Sequence, residues 1–312
     1  MTKAKTREFT HHTIEQNSDY EGKVVCTLIE RKADKKSTKA FLYLHGFNDY
    51  FFQSHLADWA NDAGMNFYAL ELRKYGRSLL PHQTPNDFRE YHEYFEDIDR
   101  AIDFIRSDEK NEHLTFMGHS TGGLLAALYA DEHKEEKKVD LLILNSPFFE
   151  FNVPAILKKT FLPLMTTLGK SFPGMPSPVG LDKGYGYSIH QSHHGIWDYE
   201  LKWKPDAGFK IHASWIRAIH LAHLKVQQGL DIPCPVLLMY SGKSVAPGNY
   251  KQEMQEADAV LNVADIEKFG KNIGKKVEHI AFKGGLHDLL LSKKEVQKAV
   301  MEKMTTFITD HS

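Results

Sequence analysis

The 312-residue sequence predicts an α/β chain: a mostly parallel, doubly wound sheet carrying an inserted helical cap. Three observations lead there. Short apolar runs alternate with amphipathic helical stretches over most of the length. Those runs are continuously apolar, as in strands buried on both faces of a parallel sheet. One long interval, 151–231, holds no convincing strand and breaks the rhythm.

The first strand is KVVCTLIE (23–30), and the charged RKADKKSTK after it is a turn. AFLYLHG (40–46), NFYALEL (66–72), LTFMG (114–118), DLLILNS (140–146), PVLLMY (235–240) and VEHIAF (277–282) supply the others. Residues 91–107 form an amphipathic helix, with Phe95, Ile98, Ile102 and Ile105 at helical spacing. About eighty residues between 151 and 231 are too many for a plain connection. They are expected to form a helical cap inserted between two parts of one core, 1–150 and 232–312.

Composition narrows the class. Hydrophobic residues are 42% and charged residues 26%, as in ordinary globular chains. A net charge of −2 gives no reason to expect a nucleic acid or an anionic membrane as partner. No run reaches the roughly 18 to 20 apolar residues of a membrane span, so no stable membrane insertion is expected. MTKAKTREFTHHTIEQN lacks the apolar core of a signal peptide, and the chain reads as cytoplasmic. Cys26 and Cys234 make neither a disulfide framework nor a zinc site.

Gly118-His119-Ser120-Thr121-Gly122 fits G-x-S-x-G, with strand-like LTFM before it and helix-like LLAALYA after it. That strand–turn–helix setting is the one a nucleophilic serine requires. A hydroxyl near neutral pH needs a base. Of the 18 histidines, His287 follows the last predicted strand and precedes the C-terminal helix, so it is the candidate. The oxyanion of an acyl-transfer reaction needs preorganised N–H donors. His45-Gly46-Phe47 ends the strand FLYL on the same sheet edge, which makes the Phe47 and Thr121 N–H groups the natural pair.

In this order, LYLHGF, ALELRKYGRS, FMGHSTGG, LLILNSPF, PVLLMYSG and GGLHDL resemble the α/β-hydrolases of the serine aminopeptidase S33 / monoacylglycerol lipase–lysophospholipase group. The resemblance spans nearly the whole chain and implies a Ser–Asp–His hydrolase. Two segments depart from it. Glu71-Leu72-Arg73-Lys74-Tyr75-Gly76-Arg77-Ser78 stands where the group often has Asp-x-Arg-Gly-x-Gly-x-Ser. Tyr240-Ser241-Gly242-Lys243-Ser244-Val245 lacks the acid that usually follows the seventh strand. The order Ser, acid, His leaves Glu253, Glu256, Asp258, Asp265 and Glu267. Asp258, followed by Ala-Val-Leu, is the first choice, with VAPGNYKQEMQEA as an insertion that moves it away from the strand. Asp265 is the second, although a helix N-cap is its simpler role.

Other signals carry less. Gly242-Lys243-Ser244 lacks the glycine that a phosphate-binding loop needs at position 237, which is Leu. His193, His194, His220 and His223 have no carboxylate-flanked metal spacing, so neither metal nor cofactor is expected. In the cap, Phe161 and Met165 lie in a strongly apolar stretch and Trp197 among aromatics, which suits an acyl-chain pocket. The expected activity is serine hydrolysis of small or lipid-like carboxylic esters, as in carboxylesterases, lysophospholipases and monoacylglycerol lipases. An aminopeptidase or amidase of the same fold is the alternative, followed by a non-catalytic ligand-binding homologue. Oligomeric state leaves no trace in the sequence.

Overall fold

A computed structural model describes residues 8–311. Among these residues, eight strands form one sheet in the order β1-β2-β4-β3-β5-β6-β7-β8. They are β1 (Thr10–Asp19), β2 (Gly22–Arg31), β3 (Lys39–Leu44), β4 (Asn66–Glu71), β5 (His113–His119), β6 (Leu141–Asn145), β7 (Val236–Ser241) and β8 (Val277–Phe282). The β1–β2 and β2–β4 pairs are antiparallel, and all other pairs are parallel.

The parallel strands read as apolar runs because both their faces are covered. Leu42, Leu44, Phe116 and Leu142 point to one core, with helices α2 (Glu93–Asp103) and α3 (Thr121–Glu132). Their neighbours Phe41, Tyr43, Met117 and Ile143 point to the other, with α1 (Ser54–Asp62) and α8 (Lys294–His311). Cys26 and Cys234 are buried free thiols, and burial pushes the Cys234 thiol up to about 12.

Strand β1 has no counterpart in the sequence reading. It lies at the sheet edge, its side chains are exposed or half-buried, and Ile14, its one apolar residue, packs on the first core. A polar edge strand gives no hydrophobic signal; its pairing with β2 defines it, with Ile14 opposite Cys26.

Between β6 and β7 the chain forms α4 (Ala155–Ser171), α5 (Lys183–Ile189) and α6 (Ala213–Gln227), with no sheet strand among them. The helices α4 and α6 approach closely at Gly169, where a Cβ would lie 2.3 Å from the Ala213 carbonyl oxygen. After β7 the chain leaves the sheet and comes back before α7 (Val263–Gly270). No helix among the described residues is long and apolar enough to cross a membrane.

Candidate active site

Register places the site. Gly118 pairs with Leu44 on one side and Leu144 on the other, so the carboxyl ends of β3, β5 and β6 share one rim. Ligands in open α/β sheets bind at such a rim. Ser120 stands on it, between β5 and α3, at φ 53° and ψ −117°. Positive φ is costly for a residue with a side chain and persists only where the surroundings impose it. Here they do. The Ser120 N–H donates to Asn145 O at 3.0 Å, and its carbonyl accepts from Leu124 and Phe148 N–H, both at 3.0 Å. A Cβ on Gly122 would stand 2.4 Å from His45 O, so only glycine lets α3 start this close to the end of β3.

His287 follows β8 and is 3% exposed. Its Nε2 lies 3.0 Å from Ser120 Oγ and its Nδ1 2.9 Å from Asp258 Oδ2. The other Asp258 oxygen accepts from Val260 N–H at 2.8 Å and Leu261 N–H at 2.7 Å. Asp258 itself is fully buried. The long segment before it is an excursion that closes on itself: Val245 N–H donates to Asp258 O at 2.9 Å and Asp258 N–H to Lys243 O at 3.0 Å. Two backbone bonds thus return the acid to the end of β7.

The other acids lie elsewhere. Asp265 is 3.2 Å from Lys158 Nζ, and it does not cap α7; Asn262 does, accepting from Ala264 N–H at 3.1 Å. Glu256 pairs with Lys293 at 2.5 Å and Glu267 with Lys271 at 3.0 Å.

Thr121 follows Ser120 in the chain, and the loop that carries Phe47 meets Ser120 in space. A Cβ on Gly46 would be 3.0 Å from Ser120 Cβ, and both Phe47 and Thr121 line the cavity above the serine. His45 braces the turn before Phe47. Its Nδ1 donates to Gly46 O at 2.8 Å and its Nε2 accepts from Leu72 N–H at 3.1 Å. Burial pushes its pKa down to about 4, keeping the ring neutral for both roles.

The cavity is about 260 Å³ and is walled by Phe148, Phe151, Leu157, Phe161, Trp215 and Ile216. Two expected pocket residues lie outside it. Met165 is buried in the core shared with α6, facing away from the cavity. The Trp197 indole N–H donates to Leu291 O at 2.8 Å, and its ring packs on His55 at 4.9 Å. Helical periodicity splits an apolar stretch between two faces, and the sequence does not say which face is open.

The sequence reading missed a second support for the histidine loop. Asp288 is fully buried and accepts from Asn145 Nδ2 at 2.8 Å and Gln53 Nε2 at 3.2 Å. Tyr185, from α5, accepts from Asp288 N–H at 3.3 Å and meets the His287 ring edge-on at 5.6 Å. Asn145 and Asp288 fall within LLILNSPF and GGLHDL, but Gln53, Asn145, Tyr185 and Asp288 are far apart in the chain, so no local pattern groups them.

The departure at 71–78 has a physical basis. Glu71 is buried, which raises its carboxyl pKa, and it accepts from Phe51 N–H at 3.1 Å and Arg77 N–H at 2.7 Å. Lys74 adopts φ 65° where the group often has glycine, and its ammonium lies 2.7 Å from both Asp19 and Glu21. These two ion pairs tie Lys74 to the β1–β2 turn. The four histidines considered for metal have other partners or surroundings: His193 pairs with Asp206 at 3.0 Å, His194 stacks on Tyr250, His220 bonds Thr166, and His223 is buried against Phe148 and Phe151.

A mostly parallel eight-stranded sheet, a strained serine at its carboxyl rim and a helical insertion over that rim define an α/β-hydrolase. The chain belongs to the serine aminopeptidase S33 family, whose sequence profile matches residues 35–294. No curated protein sequence matches it. Among solved structures, it resembles a soluble variant of the monoglyceride lipase of Saccharomyces cerevisiae in complex with a substrate analogue. That match has a TM-score of 0.73 at 17% identity and covers 99% of this chain and 98% of the other. It also resembles the monoacylglycerol lipase of Paleococcus ferrophilus, with a TM-score of 0.63, 17% identity, and 98% and 100% coverage. A Bacillus coagulans carboxyl esterase in complex with glycerol gives 0.65, 15%, and 97% and 99%.

Proposed function

We propose that this chain is a serine hydrolase of carboxylic esters with a medium or long acyl group. The observation that carries the reading is the Ser120–His287–Asp258 relay, with contacts of 3.0 and 2.9 Å at a strained, rim-mounted serine. In this reading His287 Nε2 takes the Ser120 proton as Oγ attacks the ester carbonyl. Asp258 fixes the tautomer that leaves Nε2 free and stabilises the imidazolium. The Phe47 and Thr121 N–H groups receive the oxyanion. His287 returns the proton to the departing alcohol, and water, activated the same way, releases the acid.

The aromatic and aliphatic wall supports an apolar acyl group. Lipase and esterase neighbours support an ester over an amide, and the reading extends to monoacylglycerols and lysophospholipids. The aminopeptidase alternative would need an acidic grip for an amine. Asp206, which lines the cavity while Oδ2 holds His193, is its candidate. The test is a fluorophosphonate probe with a panel of p-nitrophenyl esters, monoacylglycerols, lysophospholipids and aminoacyl anilides. Single labelling that Ser120→Ala abolishes, with ester turnover above anilide turnover, is expected. Undiminished labelling of Ser120→Ala removes the nucleophile assignment. Dominant anilide turnover that Asp206→Asn lowers favours the aminopeptidase.

A further inference from the structure

Beside the relay lies a buried ion pair that the reaction described above does not use. Asp49, in the loop after β3, is 1% exposed, and Lys204, between α5 and α6, is 7% exposed. Lys204 Nζ lies 2.9 Å from Asp49 Oδ1. Asp49 Oδ2 is 3.6 Å from Nδ1 of His119, the residue preceding Ser120. Burial alone would raise the Asp49 carboxyl; the Lys204 ammonium and the His119 ring outweigh it and hold the group below the usual carboxylate range.

The neighbours of the pair join the same two segments. Asn48 Nδ2 donates to Pro205 O at 2.9 Å, and Glu200 N–H donates to the Tyr50 hydroxyl at 2.7 Å. Trp203 meets the Tyr50 ring edge-on at 5.1 Å. Asn48 itself holds φ 51°, in the left-handed region that asparagine enters more readily than most residues with a side chain. Residues 48–50 are therefore strapped to residues 200–205, and Phe47 is the next residue along the loop.

A buried pair of charges is often no more stabilising than an apolar pair of the same size. It does enforce one geometry, since a shift of the loop would leave a charge buried without its partner. An oxyanion donor acts only if it is aimed at the position the oxyanion will occupy.

We infer that Asp49 and Lys204 are positioning residues: their ion pair ties the helical insertion to the oxyanion loop and fixes the direction of the Phe47 N–H. The insertion then controls turnover as well as substrate choice. This inference rests on the serine-hydrolase reading above.

The test measures kcat and KM on p-nitrophenyl acetate and decanoate, with fluorophosphonate labelling and thermal midpoints, for wild type, Lys204→Met, Lys204→Arg and Asn48→Gly. Lys204→Met is expected to lower kcat about 10- to 100-fold on both esters while KM stays within about threefold. Lys204→Arg keeps the charge and is expected to recover kcat to within about fivefold of wild type. Asn48→Gly tolerates the positive φ but loses the bond to Pro205, and is expected to lower kcat about three- to tenfold. A Lys204→Met kcat within about twofold of wild type overturns the inference. Lys204 also lines the cavity, so a loss carried by KM or confined to decanoate, which would make it only a substrate contact, overturns it too, as does an Arg variant no better than Met. If Lys204→Met does not fold, Asn48→Gly decides, and an unchanged kcat there overturns it. A wild-type protein inert to the probe and to both esters removes the serine-hydrolase reading and this inference together.

Discussion

The carboxyl rim of the sheet and the helical insertion face each other across one cavity, yet different forces set their side chains. On the rim, backbone bonds do the placing. The β3–β5–β6 register fixes Gly118, and two backbone bonds bring Asp258 back to β7. In the insertion, α4 is placed by packing against α6, and one apolar stretch divides three ways. Phe161 lines the cavity, Met165 enters the core, and Ile156, Leu164 and Phe172 are exposed. Backbone bonding is stepwise, since a slip of one residue turns every strand side chain over. Helix packing tolerates continuous adjustment, so it leaves weaker marks in the sequence.

The largest effect expected from this contrast is at the rim. Asp258→Asn should lower kcat about 10⁴-fold with the fold intact, because an amide mis-sets the His287 tautomer. Asp265→Asn should stay within about twofold of wild type, because its partner is the half-buried Lys158 of α4 and not His287. Steady-state kinetics on one p-nitrophenyl ester compares the two. The reverse ranking would break the assignment.

In the insertion the next effect is on stability. Met165→Ala should cost about 2–5 kcal/mol in denaturant unfolding, as for other buried large-to-small changes. It should leave the ratio of decanoate to acetate turnover nearly unchanged. A large change in that ratio would return Met165 to the cavity wall.

A pH effect of roughly 2 kcal/mol is expected from His223, which burial holds down at about 3 against an ordinary 6.5. The unfolded chain takes up that proton first. Its contribution is fully present above about pH 6.5 and is lost as pH falls from there toward 3. His223→Leu should therefore flatten the fall in thermal midpoint between pH 7 and 5. An unaltered slope would place the acid sensitivity elsewhere, with the similarly depressed His45 as the next group to replace.

The smallest effect is on selectivity. Phe161→Ala should shift chain-length preference by about tenfold, or about 1.4 kcal/mol, with little loss on the acetyl ester. Equal losses on acetate and decanoate would mean that Phe161 only packs.

The sequence by itself determined the parallel strands, the serine turn and the positions of Ser120 and His287. These depend on local pattern: apolar runs, glycines where backbones touch, and a histidine just after the last strand. It also narrowed the candidate acid to a short segment, since chain order is a one-dimensional property. Tertiary structure alone decided the rest. Edge strand β1 exists through pairing rather than hydrophobicity. Asp258 reaches His287 because an excursion closes on Lys243 and Val245. Phe161 faces the cavity while Met165 and Trp197 do not. Asp49 meets Lys204 and Asn145 meets Asp288 across separations of 155 and 143 residues. Such contacts leave no local pattern, because a side chain's partner is set by where two distant backbones have already been brought.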